Sequence, residues 1–120
     1  MSSDTSRSAA LGDLDLLDGQ PRFRYVAKAD SAERPRYRKP DGTWVSHPTV
    51  KSLALMRWLV RLVTPPNGLI LEPFAGSGAT VEAARLEGFR IIAIEREADY
   101  LPLIDERIRR SDVLDFGSIA

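Results

Sequence analysis

The sequence predicts an α/β fold with few parallel strands flanked by helices, and two observations carry that prediction. Residues 69–95 run in the order apolar strand, glycine turn, helix, glycine stop, apolar strand, which with such short loops makes a parallel pair. The second strand, "RIIAIE" at 90–95, holds Ile91, Ile92, Ala93 and Ile94 without a polar break, so cover is expected on both of its faces.

At 120 residues and 43% hydrophobic content the chain supports one modest core. Lysine plus arginine and aspartate plus glutamate number 17 each, so no overall field favours a polyanion. The charges are uneven, however. Residues 1–20 carry Asp4, Asp13, Asp15 and Asp18 against Arg7, whereas 22–39 carry Arg22, Arg24, Lys28, Arg34, Arg36, Arg38 and Lys39 against Asp30 and Glu33. With no cysteine, disulfides and thiolate chemistry are excluded and a reducing compartment fits. The N-terminus lacks a basic region followed by an apolar stretch, and no run approaches the roughly 18 apolar residues of a membrane span. A soluble, cytoplasmic protein is the expectation.

Taken in order, residues 1–20 are rich in Ser, Asp and Gly and are expected to form a flexible acidic segment. Residues 21–46 are expected to hold a strand, "RFRYVAKA" at 22–29, and then a basic linker punctuated by Pro35, Pro40 and Asp41-Gly42. Phe23, Tyr25 and Tyr37 interleave with the basic residues there, a pattern that suits either DNA phosphates or a solvated linker. A helix is expected from Thr49 to Val63, with Leu53, Met56, Leu59, Val60 and Val63 on one stripe and Ser46 or Thr49 as cap. "TPPNG" at 64–68 stops it. The strand from Leu69 to Leu71 follows, then the glycine turn, a helix from about Ala79 to Glu87, a stop at Gly88, the 90–95 strand and a helix from about Ala98 to Arg110. Asp99, Asp105 and Glu106 with Arg107, Arg109 and Arg110 read as a solvated helix face. Strand, helix and strand form the repeating unit of a Rossmann-like domain, here bounded at 47–112 and followed by a tail at 113–120.

The turn itself, in "LILEPFAGSGAT" at 69–80, brings Gly76 and Gly78 to a helix N-terminus, where bare backbone can approach a ligand and unpaired N–H groups favour negative charge. Glu95 ends the next strand 19 residues beyond Gly76, close to the spacing of about 20 at which an acid accepts hydrogen bonds from a ribose diol. The pair describes a nucleoside-bearing ligand. Val81 fills the third small position of a dinucleotide fingerprint, which disfavours NAD, and no lysine follows either glycine as a P-loop would need. Glu72 stands where a pyrophosphate would be repelled and an ammonium welcomed, which suits a nucleoside that carries an amino acid, such as S-adenosylmethionine.

"HPTVKSLALMRWLVRL", "ILEPFAGSGAT" and "IAIERE" resemble the consecutive cofactor motifs of S-adenosylmethionine-dependent DNA methyltransferases that modify adenine N6 or cytosine N4. The likeness spans about residues 47–110, and "RFRYVAKADSAER" resembles the stretch that usually precedes these motifs in bacterial and phage members. It implies part of a Rossmann-like methyltransferase fold. Glu72 would face the methionine amino group, and the backbone of Ala75, Gly76, Ser77 and Gly78 would lie along the methionine moiety. Glu95 would take the ribose hydroxyls. Thr49 and Lys51 resemble helix-entry residues near the cofactor carboxylate, and Phe74 and Arg96 would lie against apolar or adenine surface. His47 belongs to the same helix-entry motif and is placed near the cofactor only through it. This sequence departs from the pattern at Ser52, where proline is usual, and at Glu72, where aspartate is commoner.

The resemblance also implies a flipped target base held by a tetrapeptide of Asp, Asn or Ser, then Pro-Pro, then an aromatic residue. The Pro-Pro here lies in "Thr64-Pro65-Pro66-Asn67", whose last residue has no ring and whose prolines already stop a helix. In the permuted motif order the catalytic and target-recognition parts precede the glycine turn, and about 46 residues precede the helix-entry motif. At most three strands are expected, near 22–28, 69–73 and 90–95, against roughly 4–6 in an ordinary open sheet. The expectation is therefore the cofactor-binding part of a truncated or split enzyme that acts on double-stranded DNA, completed by a second chain or a missing segment. A stand-alone S-adenosylmethionine-binding or regulatory subunit and a methyltransferase for RNA or a small molecule remain alternatives. No metal site is expected.

Overall fold

A computed structural model of the chain describes residues 16–17, 20–21 and 25–117, with side chains from 25 to 112. Two short antiparallel pairs come first: β1 (Leu16–Leu17) with β2 (Gln20–Pro21), and β3 (Arg36–Arg38) with β4 (Trp44–Ser46). Then follow α1 (Leu53–Val63), β5 (Leu69–Glu72), α2 (Ala79–Leu86), β6 (Arg90–Ala93) and a single 3-10 turn (Ala98–Tyr100) that leads into α3 (Leu101–Gly117). β5 and β6 are parallel, in register from Leu69 opposite Arg90 to Glu72 opposite Ala93. The pairing reaches past the last strand residues, since Ile94 N–H donates to the Glu72 carbonyl and Ala75 N–H to that of Ile94. The α/β class and the parallel unit are thus as the sequence predicts.

α2 is the middle of the core. Its Ala79, Val81, Ala83 and Ala84 are buried, and the small side chains let α1 and α3 approach it from two sides. Ala75, Val81 and Ile104 form a buried cluster against which Ile91 and Ile108 pack. The strands alternate faces, so Ile70 and Ile91 turn toward α2, while Leu69, Leu71, Ile92 and Ile94 turn the other way and stay exposed. The cover expected on both faces of the 90–95 strand is therefore found on one face among the described residues.

Three expectations are corrected by the fold. Residues 25–30 hold no regular structure, and the strand expected at 22–29 is not formed there; residues 22–24 lie outside the described residues, as do most of 1–20 and 118–120. The strands fall inside the stretch read as linker. Asp41-Gly42 closes a tight hairpin in which Gly42 has φ +91° and Lys39 pairs with Thr43. Val45 is buried, and Tyr37 reaches over to donate to the Asp99 carbonyl at 2.9 Å. Second, α1 starts at Leu53, and its cap is Ser52 rather than Ser46 or Thr49. The Ser52 hydroxyl accepts from Leu55 N–H at 3.4 Å, and the Glu33 carboxylate takes Leu53 N–H at 2.9 Å. The serine that departs from the family pattern thus has a local use.

Third, the charges of α3 are not all on a wet face. Asp105 and Arg109 form an exposed pair one turn apart, as expected, but Arg107 is 0% exposed and donates to Glu82 of α2, itself 1% exposed, at 2.7 Å. Arg110 joins the same carboxylate at 2.9 Å. Arg107 also donates to the Glu33 carbonyl and Arg110 to that of Ala32, so the network ties the 29–34 turn to the core. Burial draws the Arg107 guanidinium below its usual range, while the hydrogen bond to Glu82 raises that of Arg110. The helix itself continues through Gly117 into the predicted tail.

Candidate functional site

The chain leaves β5 at Glu72 and turns through Pro73 and Phe74 into two glycines with left-handed backbone, Gly76 at φ +55° and Gly78 at φ +86°. The turn is held by acids. Glu72 Oε1 accepts Phe74 N–H at 2.9 Å; Glu95 Oε2 accepts Gly76 N–H at 2.6 Å and its Oε1 accepts Glu97 N–H at 2.9 Å. Ala75 and Gly78 N–H donate to the carbonyls of Ile94 and Ala75. The amides of Ala75, Gly76 and Gly78, in the backbone expected to lie along a ligand, are therefore engaged within the protein, as is that of Phe74. The amide of Glu97, with those of Gly76 and Arg96, holds the Glu95 carboxyl below its usual range, although partial burial opposes them.

Two cavities flank this turn and share the ring of Phe74, which is 85% exposed. The larger, about 420 Å³, is lined by Thr49, Lys51, Glu72, Ala75, Gly76 and Ser77 from the predicted set. The smaller, about 280 Å³, is lined by Glu95 and Arg96. Gly78 lines neither. A Cβ there would stand 3.1 Å from Ile104 Cα, so the position lets α3 pack against the turn. As the cap of α2 it also carries no side-chain hydrogen bond, which leaves that helix end, beside Ala79 and Thr80, favourable to a negative group.

His47, Met56 and Thr80 line the larger cavity as well. Met56 belongs to the apolar stripe of α1, where periodicity assigns it to the core, and Thr80 meets its sulfur at 3.7 Å. His47 accepts Thr49 N–H at Nδ1 and packs its ring on Tyr100. Lys51 sits at the rim with Nζ on the Thr49 carbonyl at 3.3 Å. A further hollow of about 250 Å³ lies across α2, beside Arg85 and Ser111, whose polar groups already bond to each other and to Asp112. Among the described residues no group of three or more metal-binding side chains occurs, and no helix is long and apolar enough to cross a membrane.

The arrangement offers an acid, Glu72, and a cation, Lys51, in one cavity, and a second acid at the mouth of the other. A profile of the DNA methylase family matches residues 20–106. The chain belongs to the DNA methylase family. Similar proteins include the DNA adenine methyltransferase YhdJ of Escherichia coli strain K12, 30% identical over 91% of this chain, and the type II methyltransferase M.ScaI of Streptomyces caespitosus, 32% identical over 73%. Among solved structures, the M1.HpyAVI–SAM complex is similar, with 42% identity and a TM-score of 0.50 over 52% of this chain. The chain spans 36% and 26% of the length of the two enzymes and 30% of the solved chain.

In this chain the Thr64-Pro65-Pro66-Asn67 segment behaves as a helix stop. Thr64 N–H closes α1 on the Val60 carbonyl, Asn67 takes φ +61°, and Gly68 N–H returns to the Pro65 carbonyl at 2.9 Å. Neither proline can continue the α1 ladder, and the Pro65 carbonyl closes the turn that follows.

Proposed function

We propose that this chain binds S-adenosylmethionine and forms the cofactor-holding part of an enzyme that methylates double-stranded DNA in the cytoplasm, at adenine N6 or cytosine N4. The observation that carries this reading is the pair of cavities meeting at Phe74, with Glu72 in one and Glu95 in the other. That donor set fits a nucleoside with an amino acid at its far end. Glu72 would hold the ammonium, and Lys51 and Thr49 the carboxylate, beside the uncapped start of α2. Glu95 would receive the ribose hydroxyls on oxygen lone pairs that the amides of Gly76 and Glu97 leave free. Phe74 and Arg96 would cover the base. When bound, the cofactor supplies a methyl group on a sulfonium, and this chain contributes binding and orientation.

The part that would hold the target amine is proposed to come from a second chain or a further segment. Two observations favour that: Thr64-Pro65-Pro66-Asn67 is a helix stop, and the apolar face of Leu69, Leu71, Ile92 and Ile94 is uncovered among the described residues. Calorimetric titration with S-adenosylmethionine tests the binding claim. Micromolar binding that Glu72→Ala and Glu95→Ala each weaken about tenfold or more is expected, since each removes a charge-assisted hydrogen bond. Absence of binding in the wild type refutes it. DNA methylation by the chain alone would refute the need for a partner, and binding that no partner converts to transfer would favour a regulatory subunit.

A further inference from the structure

His47 is the one histidine of the chain, and its ring touches three segments of the site. Its Nδ1 accepts Thr49 N–H at 3.1 Å, with the Thr49 hydroxyl 3.5 Å away. Because an amide N–H can only donate, Nδ1 is unprotonated and the neutral ring carries its hydrogen on Nε2. That second edge lies against the glycine turn: a Cβ on Gly76 would stand 3.1 Å from Nε2 and 3.5 Å from Cε1. The ring face leans on Tyr100, with centroids 4.7 Å apart and planes at 57°. Gly76 thus has the His47 ring on the side where a Cβ would stand and the Glu95 carboxylate on its N–H.

We propose that His47 is a positioning residue, which locks the Thr49–Lys51 entry of α1 to the Gly76 turn so that both sides of the larger cavity form one frame, and that protonation of Nδ1 undoes the lock. A proton on Nδ1 removes the acceptor for Thr49 N–H, so the bond and the charge cannot coexist. The groups facing the ring oppose one another. Glu95, across the turn, favours the imidazolium, whereas Lys51 on the entry segment disfavours it; Asp99, next to the Tyr100 on which the ring leans, is paired with Lys39. Burial outweighs the attraction of Glu95 and holds the ring below its usual value of 6.5. The lock is consequently intact above pH 6.5 and is lost as pH falls through the lowered value.

A pH titration by proton–nitrogen NMR decides this on the chain as it stands. The imidazole should show the Nε2–H form at neutral pH, and the amides of Thr49 and Gly76 should shift with the imidazole's own midpoint, below 6.5. His47→Asn offers a side-chain oxygen to the amide two residues on while removing the titration, so in that variant the shared transition should vanish. Silent Thr49 and Gly76 amides in the wild type, or the same transition in His47→Asn, overturn the proposal. A second arm rests on the cofactor reading above: wild-type affinity for S-adenosylmethionine should fall about tenfold per pH unit below that midpoint, and that of His47→Asn should not. Should the compound bind at no pH, the cofactor reading fails, and the amide titration still decides the role of His47.

Discussion

The carboxylate of Glu95 receives the amide of Gly76, nineteen residues earlier in the chain, at 2.6 Å, and its other oxygen receives the amide of Glu97 at 2.9 Å. One side chain thus closes the end of β6 onto the glycine turn after β5. Glu95→Gln keeps the shape but replaces one acceptor by an NH₂ group that faces an N–H donor, so it should cost about 1 kcal/mol. The carboxyl is depressed below 4.5, so its stabilisation is present above that value and is lost as pH falls through the depressed one. Thermal melts from pH 3 to 7 should show an acid limb that is shallower in Glu95→Gln. Superimposable acid limbs would exclude this carboxylate as their source.

Glycines 78 and 88 provide an internal comparison. Both have positive φ, +86° and +78°, but a Cβ on Gly78 would stand 3.1 Å from the Ile104 backbone whereas one on Gly88 meets nothing within 4 Å. Gly88→Ala should therefore cost only the left-handed backbone, about 1 kcal/mol. Gly78→Ala adds a clash that α3 must move to relieve, for a total of about 2 kcal/mol or more. Chemical denaturation of the two variants measures the difference, and equal losses would mean that α3 does not pack on the turn in solution.

The parallel unit is legible in the sequence because each piece is signalled within a few residues: an apolar run, glycines that take φ of +55° and +86° without strain, a short helix, and Gly88 to end it. The β3–β4 hairpin is not legible in the same way. Its strands are three residues long, sit between prolines, and are held in place by Tyr37 on Asp99, 62 residues away. Arg107 is hidden for a similar reason. Nothing beside it distinguishes it from Arg109, and it is Glu82, 25 residues earlier, and the Glu33 carbonyl, 74 residues earlier, that give it a place in the core. Glu95 is singled out by its spacing from Gly76 and Glu72 by its place just before the turn, and each lines one of the two cavities, whereas Met56 carries the signature of a core stripe and gives no sign that it borders one.

Removing Glu82 should be among the most damaging single changes in the chain. It would leave Arg107, fully buried, and Arg110 facing an apolar gap, at a cost of about 3–5 kcal/mol. The combined change Glu82→Leu with Arg107→Met should cost distinctly less than the sum of the single changes, because no fully buried charge is then left alone, Arg110 being partly exposed. Urea melts of the four proteins give the coupling, and additive losses would mean that water reaches the pair.

The apolar face of the parallel pair makes the opposite prediction. Leu71 is 64% exposed and Ile92 52%, so the chain by itself gains little from either. Leu71→Lys and Ile92→Lys should each shift stability by no more than about 0.5 kcal/mol, as for ordinary surface positions. They should also reduce self-association, because a face and a strand edge left open among the described residues invite other chains. Equilibrium sedimentation over a concentration series reports the second effect and denaturation the first. A stability loss of about 2 kcal/mol or more, at concentrations where the chain is monomeric, would mean that residues outside the described set fold over this face, and the proposal of a partner that covers it would then have to be withdrawn.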